Sequence, residues 1–324
     1  MILTLGNTIS MKTASARQER PAAGTSPQNV GTILKWAGGK TQLLEQIRAN
    51  LPQELTHNKI HTYIEPFIGG GAVFFDIASR YSFRQAYLFD VNAELITLYN
   101  SIKSDVDTLV SVLSKLQKNY LAKNEEARKV FFYKVRDKYN ADLSARDFVN
   151  PERAALTIFL NRTCFNGLFR VNSKGEFNVP FGSYKNPTIL FEDKLRTASA
   201  LLQNATIELT DFSKTENYAD KKTFVYYDPP YRPISQTSSF TAYSKDTFDD
   251  NEQRRLFRLY DKLNKKGALQ LLSNSDTTNF KKSDRFFDDL YSDYTITRVD
   301  ARRMINSNPD KRGSIKELLI KNYQ

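Results

Sequence analysis

Residues that form covalent cross-links or hold metal ions are scarce in this chain. Its 324 residues include one cysteine, Cys164, and two histidines, His57 and His61. A single thiol excludes an intrachain disulfide and favours a reducing compartment. One thiol and two imidazoles also cannot supply the His/Cys/Cys set of a zinc deaminase, and the sequence has no dense carboxylate cluster of the nuclease type. We therefore expect no catalytic metal.

Long apolar runs are missing as well. No segment approaches the roughly 20 apolar residues of a membrane-spanning helix. The stretch from Met1 to Gly6 is too short for the core of a signal peptide. Residues 1–31 are rich in Ser, Thr, Ala, Gly, Pro and Gln and contain one acid, Glu19. This composition predicts a disordered tail. An acid-poor, Arg-bearing start also resembles a transit peptide, although no apolar face recurs in it.

Acidic residues are outnumbered by basic ones. The chain has 36 Asp and Glu against 47 Lys and Arg, which gives a formal net charge of +11 and an isoelectric point near 9.4. Such an excess favours polyanionic partners, nucleic acid first and acidic membranes second. A basic enzyme whose charge serves only solubility would have the same balance. The length allows one large domain or two smaller ones, with ample core in either case.

The most informative motif is Asp228-Pro229-Pro230-Tyr231, which follows the apolar run 223–227. Asp228 and the carbonyl of Pro229 can accept hydrogen bonds from an exocyclic amine, and Tyr231 offers a ring face for stacking. Enzymes that modify a base of duplex DNA bring that base out of the stack into a pocket. The motif therefore predicts a reaction on a base amino group. The alternative is a purely structural role for the motif, as a strand that ends in a Pro-rich turn.

A strand, a glycine-rich turn, a helix, a second strand and an acid follow one another over residues 61–90. The glycines at 69–71 let the backbone pass close to a ligand beyond the carboxyl end of a strand. Asp90 comes 21 residues after Gly69, where an acid can bond ribose hydroxyls. Phe74 stands where the dinucleotide fingerprint needs its third glycine. This argues against NAD and for another nucleoside cofactor.

Hydrophobic periodicity predicts an open, doubly wound α/β sheet with a mainly helical insertion. The predicted strands are 61–64, 86–89, 206–209, 223–227, 268–272, 294–299 and 315–321. Residues 249–264 are predicted to form a helix. Residues 105–165 are mostly helical by periodicity, with Pro151 in the first turn of a helix that runs to Cys164. Residues 168–180 predict a hairpin whose tip is Ser173-Lys174-Gly175.

Four motifs occur in a characteristic order: WAGGK at 36–40, EPFIGGG at 65–71, DVN at 90–92 and DPPY at 228–231. In this order they resemble the DNA adenine methyltransferases of the Dam family and D12 class, which transfer a methyl group from S-adenosylmethionine to adenine N6. The resemblance runs from about residue 33 to the end. It includes NGLFRVNSKGEFNVPFG at 166–182, SSFTAY at 238–243 and RRMINSN at 302–308.

The resemblance implies a Rossmann-like methyltransferase sheet, formed by residues 32–91 and 190–324, with an inserted target-recognition domain at 92–189 that carries the hairpin. It also implies roles for individual residues. The implied catalytic residues are Asp228, Pro229, Pro230 and Tyr231. The implied methyl-donor contacts are Trp36, Lys40, Glu65, Phe67, Gly69, Gly71, Asp90, Asp211, Phe212 and Asp228. The DNA contacts that it implies are Leu168, Arg170 and Pro180. Asn172, Lys174 and Tyr184 are further predicted contacts of the same segment, and the charge of the basic segment near the C-terminus predicts phosphate contacts by Arg302 and Arg303.

The expected function is methylation of adenine N6 in duplex DNA, within GATC, by base flipping and direct in-line transfer. We expect a cytosolic bacterial enzyme that is a monomer in solution. N4-cytosine methylation is the alternative, because both amines suit a DPPY pocket. A catalytically silent DNA-binding module of the same fold is the non-enzyme alternative, against which the intact Lys40, Asp90, Asp228 and Tyr231 argue. The sequence leaves open whether the enzyme acts alone or with a restriction endonuclease.

Overall fold

The central element of the molecule is a single mixed sheet. The computed structural model describes residues 30–141, 147–232, 248–279, 281–302 and 314–324. Within these ranges the strands are β1 (Thr62–Glu65), β2 (Gln85–Asp90), β3 (Ala205–Leu209), β4 (Thr223–Tyr227), β5 (Leu269–Ser275), β6 (Thr295–Arg302) and β7 (Ser314–Lys321). Each corresponds to a predicted strand, and no boundary differs by more than three residues.

The strand order is β3-β2-β1-β4-β5-β7-β6. The first five strands in this order are parallel, and β7 lies antiparallel between β5 and β6. The order therefore reverses between β1 and β4, as in doubly wound α/β sheets. The predicted α/β class is confirmed.

Helices cover both faces of the sheet. In the described ranges they are α1 (Leu44–Ala49), α2 (Gln53–Thr56), α3 (Ala72–Arg80), α4 (Ala93–Ser104), α5 (Val106–Leu121), α6 (Glu125–Ala141), α7 (Pro151–Thr163), α8 (Glu192–Leu202), α9 (Asp250–Lys265) and α10 (Phe286–Leu290). Pro151 occupies the first turn of α7, as predicted, and the Asn150 side chain caps that helix. None of these helices has the length and apolarity that a membrane crossing requires.

The central strand β4 is held from both sides. All five of its residues are buried, as expected for a parallel strand with helices on each face. Tyr226 packs into one apolar cluster and Tyr227 into the other. Their hydroxyls are satisfied within the core, since Tyr226 bonds Ser273 at 2.9 Å and Tyr227 donates to Gln270 at 2.8 Å. This packing fixes the end of β4 and therefore the position of Asp228, which is the next residue.

A buried ion pair ties the middle helices to the sheet-flanking helix α4. Arg153 of α7 is 6% exposed, and its guanidinium lies 2.6 Å from the carboxylate of Glu94 at the start of α4. The same guanidinium lies 4.3 Å from the centroid of the Tyr139 ring of α6. Three helices thus meet at one cation. One apolar cluster runs continuously from the sheet into α5, α6 and α7.

Replacing Arg153 by alanine is expected to destabilise the protein strongly, because Glu94 would lose its cation while remaining mostly buried. Removal of one partner of a buried pair costs about 3–5 kcal/mol, and we expect about 3 kcal/mol because Glu94 is partly exposed. Arg196→Ala is the matched control. It breaks exposed pairs with Asp107 and Glu192 and should cost far less, because solvent screens these pairs. Urea unfolding measures both. Equal losses would contradict the structural role of Arg153.

Candidate active site

Acidic side chains converge at the carboxyl ends of the parallel strands. Glu65 ends β1, Asp90 ends β2 and Asp228 directly follows β4. Open α/β sheets bind ligands at this edge, beside the point where the strand order reverses. The motifs at 65–71, 90–92 and 228–231 are therefore brought to one edge, although they are widely separated in sequence.

The WAGGK and DPPY motifs are joined by an ion pair. The Nζ atom of Lys40 lies 2.5 Å from Oδ1 of Asp228, and the Lys40 side chain is only 4% exposed. Lys40 also donates to the carbonyl of Gly38 at 3.1 Å, and Ser273 of β5 donates to Asp228 at 3.3 Å. Burial raises the pKa of Asp228, and the Lys40 ammonium and Ser273 hydroxyl only partly offset this effect. The pair places the one buried lysine of the described residues at the end of β4.

Tyr231 is held by contacts at its hydroxyl and its ring. Its hydroxyl donates to the carboxylate of Glu317 on β7, and Lys40 Nζ lies 4.6 Å from its ring centroid. Glu317 is a site residue that the sequence motifs do not include. The available signal is that side chains alternate along a strand, so that Glu317 is an acid between Ile315 and Leu319 on one face.

The glycine-rich turn is shaped by two left-handed glycines and by Asp90. Gly69 and Gly71 have φ values of 45° and 73°, in the left-handed region that favours glycine. Oδ2 of Asp90 accepts the Gly69 N–H at 3.0 Å, and Oδ1 accepts the Asn92 N–H at 2.9 Å. Burial raises the pKa of Asp90 to about 6 in spite of these donors.

Side chains surround this turn closely. A Cβ atom at Gly71 would lie 2.9 Å from the Phe75 ring and the Tyr99 hydroxyl, and one at Gly69 would lie 3.3 Å from the Trp36 ring. The other side of Trp36 faces the 168–180 segment, since its ring centroid lies 5.2 Å from that of Phe169. Trp36 therefore connects the turn with the predicted hairpin.

Glu65 is a buried carboxyl group beneath the same turn. It is 2% exposed. Its donors among the described residues are the Tyr63 hydroxyl, at 2.6 Å, and the backbone of Phe74. Burial raises its pKa well above the ordinary range. A buried carboxyl group held in this way can serve as an acceptor for a bound cationic group.

Asp211 and Phe212 are both held by Arg255, a residue that the sequence motifs do not include. Both carboxylate oxygens of Asp211 accept from Arg255 of α9, at 2.8 and 2.7 Å, and the guanidinium lies 3.9 Å from the centroid of the Phe212 ring. Burial alone would raise the pKa of Asp211, but hydrogen bonds from Arg255 and Ser213 outweigh it and lower the pKa to about 2. Glu252 holds the other side of Arg255.

Phe212 also belongs to an aromatic group. Its ring centroid lies 5.5 Å from that of Phe67 and 5.8 Å from that of Phe248, and Phe67 and Phe248 are 5.7 Å apart. Phe67 is the middle one of the three residues between the buried Glu65 and the glycine turn. Two residues predicted to contact the donor, Phe67 and Phe212, are therefore neighbours in space.

The 168–180 segment folds back on itself. Backbone hydrogen bonds join Asn172 to Glu176 and Asn178 to Arg170, at 2.9 and 3.1 Å. The Asn172 side chain accepts from the backbone of Lys174 and Glu176 at the tip, where Gly175 has φ 83°.

The predicted DNA contacts of this segment differ in exposure. Arg170, Lys174 and Pro180 are exposed, whereas Leu168 is half-buried against the apolar cluster. Arg170 Nε donates to the Asn178 side chain at 2.8 Å. Tyr184 is half-buried, and the Lys35 ammonium lies 5.2 Å from its ring centroid.

The basic segment near the C-terminus is only partly described. Arg298 forms ion pairs with Asp276 and Asp288, at 2.9 and 2.8 Å. The backbone of Arg302 ends β6. Its side chain lies outside the described residues, as do Arg303, the RRMINSN residues after it, and the SSFTAY motif.

Comparisons with known proteins identify the family of this chain. Residues 36–305 match the family of D12 class N6 adenine-specific DNA methyltransferases. The chain belongs to that family. A Methanocaldococcus jannaschii protein named type II methyltransferase M.MjaIII is 50% identical over 295 residues, which are 91% of this chain and 99% of that protein. A protein of Haemophilus influenzae named DNA adenine methylase is 38% identical over 288 residues, which are 89% of this chain and 92% of that protein. The protein is thus an adenine-specific DNA methyltransferase.

The Asp211 clamp predicts a pH-dependent stability for this methyltransferase. The pKa of Asp211 is about 2 in the folded protein and about 3.9 in an unfolded chain. The stabilisation is therefore fully present above about pH 4 and is lost as the pH falls towards 2. Because Asp211 is 39% exposed, solvent screening limits it to about 1 kcal/mol.

Asp211→Asn should accordingly lower the free energy of unfolding by about 1 kcal/mol at pH 7, and the difference from the wild type should shrink below about pH 4. Urea unfolding of both proteins across this range measures the effect. A difference that stays constant from pH 7 to pH 2.5 would contradict the ion-pair account.

Proposed function

We propose that the enzyme methylates N6 of an adenine that leaves duplex DNA and enters a pocket formed by Asp228, Pro229, Pro230 and Tyr231. The observation that carries this proposal is the position of Asp228. It follows the central strand, is paired with a buried lysine, and lies near the ring of Tyr231. A carboxylate acceptor and an aromatic ring are the groups that a flat, amino-bearing base requires.

The methyl donor in this proposal is S-adenosylmethionine, and the residues at the strand ends fit it. Gly69 is half-buried in the turn beside Trp36 and Asp90, and its backbone would contact the donor there. Glu65 provides a buried acceptor for a cationic amino group. The carboxylate of Asp90 accepts backbone N–H groups from Gly69, Val91 and Asn92, and a carboxylate has about four acceptor sites, so that one remains for a ribose hydroxyl. When bound, S-adenosylmethionine supplies an electrophilic methyl group on a sulfonium sulfur.

The remaining donor contacts follow from the same arrangement. Trp36, Gly69 and Gly71 would enclose the methionine part, with Lys40 beside them. Phe67 and Phe212 would contact the adenine ring of the donor. Asp211, held in place by Arg255, would accept from its amino group.

Asp228 prepares the amine of the target base for attack. The lone pair of adenine N6 is delocalised into the ring, which makes this nitrogen a poor nucleophile. Hydrogen bonds to Asp228 and the Pro229 carbonyl favour a more pyramidal nitrogen whose lone pair can attack in line. Lys40 favours the ionised, acceptor-only form of Asp228. Alignment of the reacting atoms supplies much of the rate.

Transfer of this kind needs no covalent intermediate on the protein. Cys164 fits this reading, because it is buried at the end of α7 and its Sγ lies 3.2 Å from the Leu168 carbonyl. Burial raises the pKa of its thiol to about 12, so the reactive thiolate is scarce at neutral pH.

DNA is held in this proposal by an inserted target-recognition domain, residues 92–189, whose hairpin lies at 168–180. Support comes from the exposed Arg170 and Lys174 of that segment and from the Trp36–Phe169 contact that joins it to the donor site. Asn172 shapes its tip, and Leu168, Pro180 and Tyr184 complete the proposed contacts. The basic residues Arg302 and Arg303 would grip phosphates, and GATC is the proposed sequence. The enzyme would act as a monomer in the bacterial cytosol.

A methyl-transfer assay tests this function. Wild-type protein is incubated with S-adenosylmethionine labelled in its methyl group and with duplexes that differ at one position of GATC. The expected result is label in N6-methyladenine of the GATC duplex, with far less in each altered duplex. Label in N4-methylcytosine would establish the alternative target, and no label in any duplex would point to a silent DNA-binding module.

Asp228→Ala is expected to abolish transfer, because the Pro229 carbonyl alone cannot orient the amine. DNA binding should be retained. Donor affinity is measured separately by calorimetry, since Asp228 also lies near the proposed donor site. Asp193→Ala, which removes an exposed carboxylate on α8, is the control and should keep wild-type activity. A loss smaller than about tenfold, or roughly 1.4 kcal/mol in the barrier, would rule out this role for Asp228.

Arg170→Ala tests base reading by the 168–180 segment. An arginine that is bidentate to guanine contributes roughly 1–3 kcal/mol of discrimination, so the variant should lose preference for GATC over altered duplexes. Lys174→Ala is the control for a phosphate contact and should weaken all duplexes alike. Competition binding measures both variants. Equal weakening of cognate and non-cognate DNA by Arg170→Ala would assign that residue to phosphate.

A further inference from the structure

Strand β7 carries one carboxylate on an otherwise apolar stretch of its inner face. Side chains alternate along a strand, so Ile315, Glu317 and Leu319 share a face. Ile315 and Leu319 pack into the main apolar cluster. Glu317 lies between them, half-buried, and burial raises its pKa. An apolar residue at this position would continue the face at lower cost, because a carboxylate loses hydration on burial. Packing alone therefore does not explain Glu317.

The partner of Glu317 is the hydroxyl of Tyr231, which donates to Oε2. Glu317 is opposite Ser275 in the antiparallel pairing of β7 with β5. The same strand β5 provides Ser273, which donates to Asp228. The β5–β7 pair thus contacts both functional side chains of the DPPY motif, Asp228 through Ser273 and Tyr231 through Glu317.

The ring of Tyr231 needs such a contact. The residue lies beyond the end of β4, after two prolines, where no β-ladder fixes the chain. A tyrosine side chain turns about two torsions near the backbone, and its hydroxyl is the atom farthest from them. A hydrogen bond at that hydroxyl therefore limits the orientation of the whole ring. The Lys40 ammonium, 4.6 Å from the ring centroid, contacts the face of the ring and not its end.

We propose that Glu317 is a positioning residue of the base pocket, which fixes the Tyr231 hydroxyl and through it the plane of the ring against which the target adenine stacks. This inference rests on the proposed function, because the ring is a stacking face only if the base enters there. A misaligned ring would tilt the adenine and move N6 away from its line of attack, which lowers the rate steeply.

The test compares four variants with the wild type. Glu317→Leu removes the acceptor, Glu317→Gln keeps one, Tyr231→Phe removes the donor, and the double variant Glu317→Leu/Tyr231→Phe removes both. Glu317→Leu and Tyr231→Phe should each lower kcat about tenfold or more, with the donor KM unchanged. Glu317→Gln should recover most of the activity. The double variant should lose no more than either single variant, because both remove one interaction.

Lys316→Leu is the matched control, since it also replaces a charged side chain by leucine, at the adjacent, exposed position of β7. It should keep wild-type kcat. Urea unfolding of Glu317→Leu separates loss of fold from loss of positioning. Wild-type kcat in Glu317→Leu, or losses that multiply in the double variant, would overturn the proposal. Absence of transfer by the wild type would instead overturn the proposed function.

A measurement without turnover tests the positioning directly. With 3-fluorotyrosine at position 231, the ¹⁹F resonance should be narrow in wild type and Glu317→Gln and should broaden or shift in Glu317→Leu and not in Lys316→Leu. An unchanged resonance in Glu317→Leu would overturn the proposal whether or not the enzyme transfers methyl groups.

Discussion

The ion pair between Lys40 and Asp228 is the interaction on which the arrangement of this site depends. Asp228 loses most of its hydration at the end of a fully buried strand, where its side chain is 21% exposed, and a carboxylate in such a place is costly unless it is paired. Lys40 is 4% exposed and lies 2.5 Å away. Each charge thus makes the burial of the other tolerable. The pair also holds the segment before α1 against the end of β4, which brings the first and the last of the four motifs together.

Sheet topology explains why the other motifs meet at the same place. The strand order reverses between β1 and β4, so the connections after these strands diverge at the edge where doubly wound sheets bind ligands. The glycine turn after β1 lines one side of it, closed by Trp36 and fastened to Asp90. Asp228 and Tyr231 line the other, supported by β5 and β7. The two sides correspond to the proposed donor and base sites, and methyl transfer requires them to be adjacent.

The sheet and the motif residues could be predicted from sequence because their signals are local. Apolar runs ending in Gly, Asp or Pro mark the strands, and motif order marks the family. Helix α2 was not predicted, because the segment between Pro52 and Lys59 has the polar, turn-forming composition of a loop. Its four residues, Gln53–Thr56, are too few to show helical periodicity.

Long-range contacts could not be predicted for a different reason. Arg255 lies on a helix surface rich in charge, and nothing nearby in sequence indicates that it reaches Asp211 and Phe212. Glu317 is a single acid in a short strand, and its partner, Tyr231, lies 86 residues away in sequence. Arg298 lies close in sequence to Arg302 and Arg303, but Asp276 and Asp288 pair with it in the fold. Such roles depend on tertiary neighbours, which residue type and spacing do not specify.

The pKa of the Asp228 carboxyl group, followed by ¹³C NMR, tests the central ion pair most directly. The wild type is compared with Lys40→Met, which keeps a long side chain but removes the charge, and with Lys35→Met, which removes an exposed lysine of the same segment. Since the ammonium lowers the pKa of Asp228 against the effect of burial, we predict a higher pKa in Lys40→Met and the wild-type pKa in Lys35→Met. An unchanged pKa in Lys40→Met would contradict the central role of the pair.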